Sequence, residues 1–269
     1  MSTSGGTAFD LAPQAGLRVE LAGELVTITL DRPERLNSQT PHTWAGLAQV
    51  ARSLPGTVRI AVLQGSGRSF SAGLDRAMFS PEGVEGAPGV LALANGSAEA
   101  AGAQIAQWQR AFDWTSRPGL VSVAVVQGNA IGAGFQLALG TDIRIAAEDA
   151  QFTMAEPSLG LVPDLGGTKR LADLVGYSRA AEICLTGRRI GAAEALGAGL
   201  VSAVVPLDEL DAAVARTVAA LLAVDRDAAA ETKALLLAAA RHSQPEQEAA
   251  ERAAQYRRLR ALAGLDAES

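Results

Sequence analysis

Residues 121–139 decide the fold: Val121-Ser122-Val123-Ala124-Val125-Val126-Gln127-Gly128, then Asn129-Ala130-Ile131-Gly132-Ala133-Gly134-Phe135-Gln136-Leu137-Ala138-Leu139. The first half is apolar without polar alternation, as in a parallel strand covered on both faces. The second half is a glycine-bearing turn that runs into a helix starting near Gly134. An earlier stretch has the same plan: Arg59-Ile60-Ala61-Val62-Leu63-Gln64-Gly65 leads into Gly67-Arg68-Ser69-Phe70-Ser71-Ala72-Gly73-Leu74-Asp75. Val-Leu-Gln-Gly at 62–65 echoes Val-Val-Gln-Gly at 125–128, as a repeating strand–turn–helix unit would. Both turns set small residues where a backbone N–H can lie bare beside a ligand. Two such groups aimed at one point make an oxyanion hole, worth about 2.7–4 kcal/mol per donor in acyl chemistry.

Outward from these turns, Leu17–Leu21 and Glu24–Leu30 alternate as two strands joined near Ala22-Gly23. Thr43–Ser53 reads as a helix with Trp44, Leu47 and Val50 on one face. A Gly/Ser/Ala-rich passage spans about 79–103, and a helix over Gln104–Phe112 follows, broken by Pro118. Ile143–Ala147 is a further strand. Thr168–Val175 and Ser178–Leu185 are short helices closed by Gly176 and Gly187. Strands alternating with helices give an α/β class. From Pro206 the pattern is purely helical and alanine-rich, with Leu207, Leu210, Val214, Val218 and Leu221 at helical spacing. The expected division is a disordered tail over 1–15, a core over 16–205 and a helical region over 206–269. That last region is too thin to stand alone, so its apolar faces must pack on the core or on another subunit.

Composition narrows the function classes. The 269-residue chain is 48% hydrophobic and 19% charged, as expected for a soluble globular protein. Its net charge of −6 argues against nucleic acid as partner. Lysine occurs only at Lys169 and Lys233, so an arginine would serve any phosphate. Cys184 is the single cysteine, which excludes an intrachain disulfide and suits a reducing cytoplasm. Two histidines, His42 and His242, make a histidine-rich metal site improbable, and no metal is expected. Neither a signal peptide nor a run of roughly 18 apolar residues is present, so no membrane association is expected.

Two chemistries compete for the glycines. Gly128-x-x-x-Gly132-x-Gly134 fits the dinucleotide turn of short-chain dehydrogenases. It lies in mid-chain, however, and neither Tyr177 nor Tyr256 has the lysine four residues on that such enzymes use. A serine hydrolase lacks its elbow, because Gly67-Arg68-Ser69-Phe70-Ser71 has no closing glycine.

Taken in order, the motifs resemble the crotonase superfamily, the enoyl-CoA hydratase/isomerase family, from about residue 17 to 265. They are Asp31-Arg32-Pro33-Glu34-Arg35-Leu36-Asn37, Phe70–Asp75, Gly132–Leu139 with Asp142–Ala146, and Ala150-Gln151-Phe152 with Gly160–Thr168. Ala192–Val205 adds an Ala-x-x-Ala…Gly-Leu-Val ending. The resemblance implies a spiral of β-β-α turns, a C-terminal helical trimerisation region giving a homotrimer or a hexamer of two trimers, and an acyl-CoA thioester as ligand. Coenzyme A then enters as part of the substrate, and no separate cofactor is implied. By position, the oxyanion donors are the N–H groups of Leu74 and Ala133. The family usually has glycine at the latter, so a methyl group is expected to crowd the site. CoA contacts are implied around Arg35, Leu36, Ser71 and Ala72, with Asp75 nearby. Arg257, Arg258 and Arg260 are candidates for phosphate contacts near the end of the chain. Phe70 is read as core, and Asp142 and Arg144 as structural.

The carboxylates decide the reaction. A hydratase of this family holds water between two glutamates, whose positions here are Gln136 and Glu156. Gln136 can hydrogen-bond a water but cannot exchange a proton at neutral pH. Asp164 stands where hydratases usually have glycine, and the trio 136/156/164 matches the spacing of the dienoyl-CoA isomerase branch. The expectation is therefore double-bond isomerisation with Glu156 and Asp164 as proton carriers. Hydration is the runner-up, and an acyl-CoA-binding protein without catalysis is the third reading.

Overall fold

A computed structural model describes residues 9–265. Strand β1 (Leu17–Ala22) turns back through Gly23, at φ +61°, into β2 (Leu25–Leu30), the one antiparallel pair of the main sheet. β3 (Ile60–Gly65), β4 (Val121–Val126), β6 (Ile143–Ala147) and β9 (Ala203–Val205) then add in parallel, giving the order β1-β2-β3-β4-β6-β9. A second sheet of three short strands has the order β5-β7-β8: β5 (Asn129–Ile131), β7 (Gln151–Thr153) and β8 (Ile190–Gly191). Each repeat runs from a long strand through a corner into a short one and then a helix. That is the expected β-β-α spiral, and Gly128 at φ +55° makes one corner.

The main strands lack polar alternation because both faces are covered. Ala61, Leu63, Ala124 and Val126 enter one core, with Trp44, Leu47, Phe70 and Phe112. Ile60, Val62, Val123, Val125 and Ile145 enter a second, against Leu210, Ala213 and Val218 of α7 (Leu210–Ala223). Helix α1 (Pro41–Ser53) opens with a Thr40/Thr43 capping box and a proline in its first turn, which satisfies its first donors. Its Trp44 ring lies 5.2 Å from Trp108 and 6.0 Å from Phe112, both on α2 (Ala98–Asp113).

The chain departs from the sequence expectations in three places. Residues 9–15 of the expected tail are ordered: Phe9 is buried, Pro13–Ala15 forms a helical turn, and Gln49 Nε2 donates to Asp10 O at 2.7 Å. Residues 1–8 lie outside the described residues. Helix α2 starts six residues before expected, because Ser97 caps it by accepting from Ala100 N. The strands of the second sheet are two or three residues long, too short for a pattern to mark them.

Helices α4 (Gly167–Val175), α5 (Tyr177–Thr186) and α6 (Ala192–Gly197) lie between β7 and β9 along the chain, and α8 (Arg226–Ala239) and α9 (Gln244–Leu262) are the last described helices. Lys233 fastens α8 to the core, donating from Nζ to Thr115 O, Leu120 O and Asp142 Oδ2 at 2.6, 2.5 and 2.7 Å. Asp142 also accepts from Ser122 N and Oγ, and the buried Arg144 donates to Leu200 O and Thr141 O. Both are structural, as expected. Helix α9 packs on α8 and buries only Ala254, leaving Tyr256, Leu259 and Leu262 exposed.

Candidate active site

Three glycines interlock the two turns. Gly73 sits at φ +85°, where a Cβ would lie 2.4 Å from Ile131 O and 3.5 Å from Ala133 N. Gly134 opens helix α3 (Ala133–Leu139) against Ser71, whose carbonyl would be 2.6 Å from an added Cβ. Gly132, at φ +50°, donates its N–H to Thr153 O and would bring a Cβ to 3.1 Å from Glu156 Oε1. Only glycine allows these approaches. They bring Gly73, which precedes Leu74, to within van der Waals reach of the Ala133 N–H in the first turn of α3. Neither the Leu74 nor the Ala133 N–H has a hydrogen-bond partner among the described residues. Ala133 is buried and belongs to the hydrophobic core.

A buried polar scaffold fixes the first turn. Ser71 Oγ donates to Asn37 O and accepts from Gln39 Nε2 and Gly73 N. Asn37, held at φ +54°, donates to Ser66 O and Ser69 O. Gln39 takes Trp44 Nε1 at 2.8 Å, and its backbone brackets Leu74 through Gly73 O and Asp75 N. Asp75 accepts from Arg32 Nη2, Ser38 Oγ and Ala77 N. Burial works to raise its carboxyl, but the Ala77 N–H, the Ser38 hydroxyl and Arg32 outweigh that and hold it below the usual range. The side chains of Ser71 and Asp75 are therefore engaged within the protein, where they shape the turn. Arg35 is exposed and has no ion pair among the described residues. Leu36 is half-buried at φ +51°, and its carbonyl accepts from Ala72 N. Arg257 and Arg258 are engaged by Glu231 and by Asp225 and Asp227, and Arg260 Nη2 donates to Leu265 O.

The trio 136/156/164 converges. Gln136 is completely buried on α3. Its Oε1 accepts from Leu165 N and Gly167 N at 2.9 and 3.1 Å, so its Nε2 must face Glu156, donating to Oε1 at 2.7 Å. The Gln136 carbonyl therefore accepts two backbone N–H groups, and one N–H of its amide is directed at Glu156. Gly167 is glycine because a Cβ would sit 2.6 Å from Gln136 Cγ. Glu156 Oε2 is buried and has no hydrogen-bond partner among the described residues. Burial pushes this carboxyl above the ordinary glutamate range and the nearby Asp164 charge adds to it, while its own N–H and the Gln136 amide partly offset the rise. Burial likewise raises Asp164, which is half-buried.

Three residues near the site gave no signal in the sequence: Gln39, Gln109 and Cys184. Burial raises the Cys184 thiol, and so does the Glu156 charge, which places it near that carboxylate. Among the described residues no group of three His, Cys, Asp or Glu side chains could hold a metal, and no helix is long and apolar enough to cross a membrane.

Two unpartnered N–H groups on successive β-β-α turns, beside a buried carboxyl with a free oxygen, define a class of protein equipped to polarise a carbonyl and move a neighbouring proton. The chain belongs to the enoyl-CoA hydratase/isomerase family of the crotonase superfamily, whose family model matches residues 20–262. A Rhizobium meliloti (strain 1021) protein named "Probable enoyl-CoA hydratase" is 35% identical over 196 residues, covering 72% of this chain and 70% of the relative. The 1,2-epoxyphenylacetyl-CoA isomerase of Escherichia coli K12 is 36% identical over 187 residues, covering 67% and 66%. A Thermobifida fusca YX protein crystallised in complex with acetoacetyl-CoA is 49% identical and superposes with a TM-score of 0.89. That match covers 92% of this chain and 96% of the other.

Proposed function

We propose that this acyl-CoA enzyme shifts a proton along an enoyl- or dienoyl-CoA thioester, moving its double bond. The observation that carries this reading is the bonding of Gln136. With its carbonyl held by two backbone N–H groups and an amide N–H on Glu156, position 136 offers no proton carrier, and the site presents Glu156 Oε2 as one base. Glu156 Oε2 would take a proton from C2 of a 3-enoyl thioester. The C–H electrons would delocalise through the thioester to its oxygen, which accepts from Leu74 N and Ala133 N. Reprotonation at C4 by the same carboxyl would give the 2-enoyl product and restore the base. Burial of Glu156 suits it to both steps, because it raises proton affinity towards the working pH. For a 3,5-dienoyl substrate the second proton site would be Asp164.

Arg35, Leu36 and Ala72 would contact CoA, with Arg35, exposed and without an ion pair among the described residues, offering its charge to a phosphate. The exposed Tyr256, Leu259 and Leu262 of α9 support burial against another copy in a trimer or a pair of trimers. Hydration is the second reading, favoured by the charge of Asp164 acting on Glu156, since that pair could hold a water between them. Turnover of crotonyl-CoA, a 3-enoyl-CoA and a 3,5-dienoyl-CoA tests all of this. The proposal requires the 3-enoyl or 3,5-dienoyl substrate to be preferred. Efficient hydration of crotonyl-CoA alone would replace it with the second reading, and binding without turnover would leave an acyl-CoA-binding protein.

A further inference from the structure

Asp164 has no hydrogen bond from another described residue to its carboxylate, so its position depends on how the backbone of the 163–167 segment is anchored. Gln136 anchors one side, through Leu165 N and Gly167 N. On the other side Gln109, near the end of α2, donates from Nε2 to the Asp164 carbonyl at 2.6 Å. The same end of α2 takes Arg170 Nη2 on Phe112 O and Asp113 Oδ1, at 2.7 and 2.8 Å. Arg170 in turn lies under Gly166, with Nη1 3.6 Å from where its Cβ would be. Helix α2 thus holds Arg170 of the following helix and, through Gln109, the segment itself; among the described residues Gln109 makes the one side-chain bond to Asp164.

We propose that Gln109 is a positioning residue: its amide, by holding Asp164 O, fixes where the Asp164 carboxyl stands relative to Glu156. The proposal deepens the reading of Glu156 as the base and rests on it. Asp164 acts on Glu156 through its charge, which makes protonation of Glu156 easier. Without the Gln109 bond the Asp164 side chain would be free to turn towards solvent, where water screens it. Glu156 would then give up its proton at a lower pH. The role would be invisible to a sequence reading because it runs through a main-chain carbonyl of a residue 55 positions away.

The test is a titration of the Glu156 carboxyl by carbon-13 NMR in the full-length protein, with the signal assigned by its loss in Glu156→Gln. Gln109→Met should shift the midpoint of Glu156 to lower pH, because the like charge that Asp164 holds near it is then screened. Gln109→Asn, whose amide is one methylene short, should shift it the same way. In an Asp164→Asn background the Gln109→Met change should do nothing, because the charge it positions is gone. An unchanged midpoint, or an equal shift in both backgrounds, would overturn the proposal. The titration needs no turnover, so failure of the isomerase reading would show separately, as a missing double-bond shift in a protein whose Glu156 still titrates.

Discussion

Replacing Gly73 with alanine should disable the site while leaving most of the fold intact. The new methyl would meet Ile131 O at 2.4 Å, and that oxygen belongs to backbone which also carries the Ala133 N–H. A flexible side chain could step aside; a backbone carbonyl of β5, held in the ladder to β7, cannot do so without shifting that pairing. The residue also sits at φ +85°, which costs an L-residue about 1–2 kcal/mol before any clash. The turn is pinned at both ends, by Gly73 N on Ser71 Oγ and Gly73 O on Gln39 N, so the displacement falls on Leu74. Loss of one oxyanion donor predicts a fall of about 10²–10³-fold in rate. The assay is turnover of a 3-enoyl-CoA, with thermal unfolding measured on the same samples. Gly102→Ala, in the open middle of α2, is the control, and it should stabilise the protein by about 0.5–1 kcal/mol without touching the rate. A folded Gly73→Ala protein that turns over at the wild-type rate would refute the oxyanion account of this turn.

Glu156→Gln should abolish proton transfer yet keep acyl-CoA affinity. Its effect on stability also has a definite sign. Because the folded-state value of Glu156 is raised, its stabilising contribution is present below the unfolded value and lost as pH rises through the folded one. The variant should therefore melt higher than wild type at about pH 8 and show no gain at about pH 4. Gln136→Glu would set two carboxyl oxygens at the present 2.7 Å contact, where they must share a proton. The pH–rate profile should move to higher pH; an unmoved profile would mean that position 136 does not touch the base. Light scattering at micromolar concentration should give a trimer or hexamer mass, and a monomer mass would remove the proposed role of α9.

What the sequence made legible is what depends on local pattern. Strands over 60–65, 121–126 and 143–147 announce themselves because both faces are buried, leaving unbroken apolar runs. Gly73 and Gly132 mark the turns because no other residue fits there. The strands 129–131 and 151–153 carry too few residues to show a period. Gln136 was singled out for its type, but its role depends on the backbone N–H groups of residues 165 and 167, which only the folded chain brings to it. Ser71 and Asp75 are placed near CoA by the family resemblance, which says nothing of what their side chains bond. Their partners Asn37, Gln39, Arg32 and Ser38 lie more than thirty positions away, and no spacing rule reveals them.

The central claim is that Glu156 Oε2 removes a proton from the carbon next to a thioester held by Leu74 N and Ala133 N. Loss of deuterium from C2 of a C2-deuterated 3-enoyl-CoA, whether to C4 or to water, followed by NMR, tests it most directly. The account predicts rapid loss with wild type and none above background with Glu156→Gln at saturating ligand. Equal loss in the two proteins, or none in either while the ligand is bound, would contradict it.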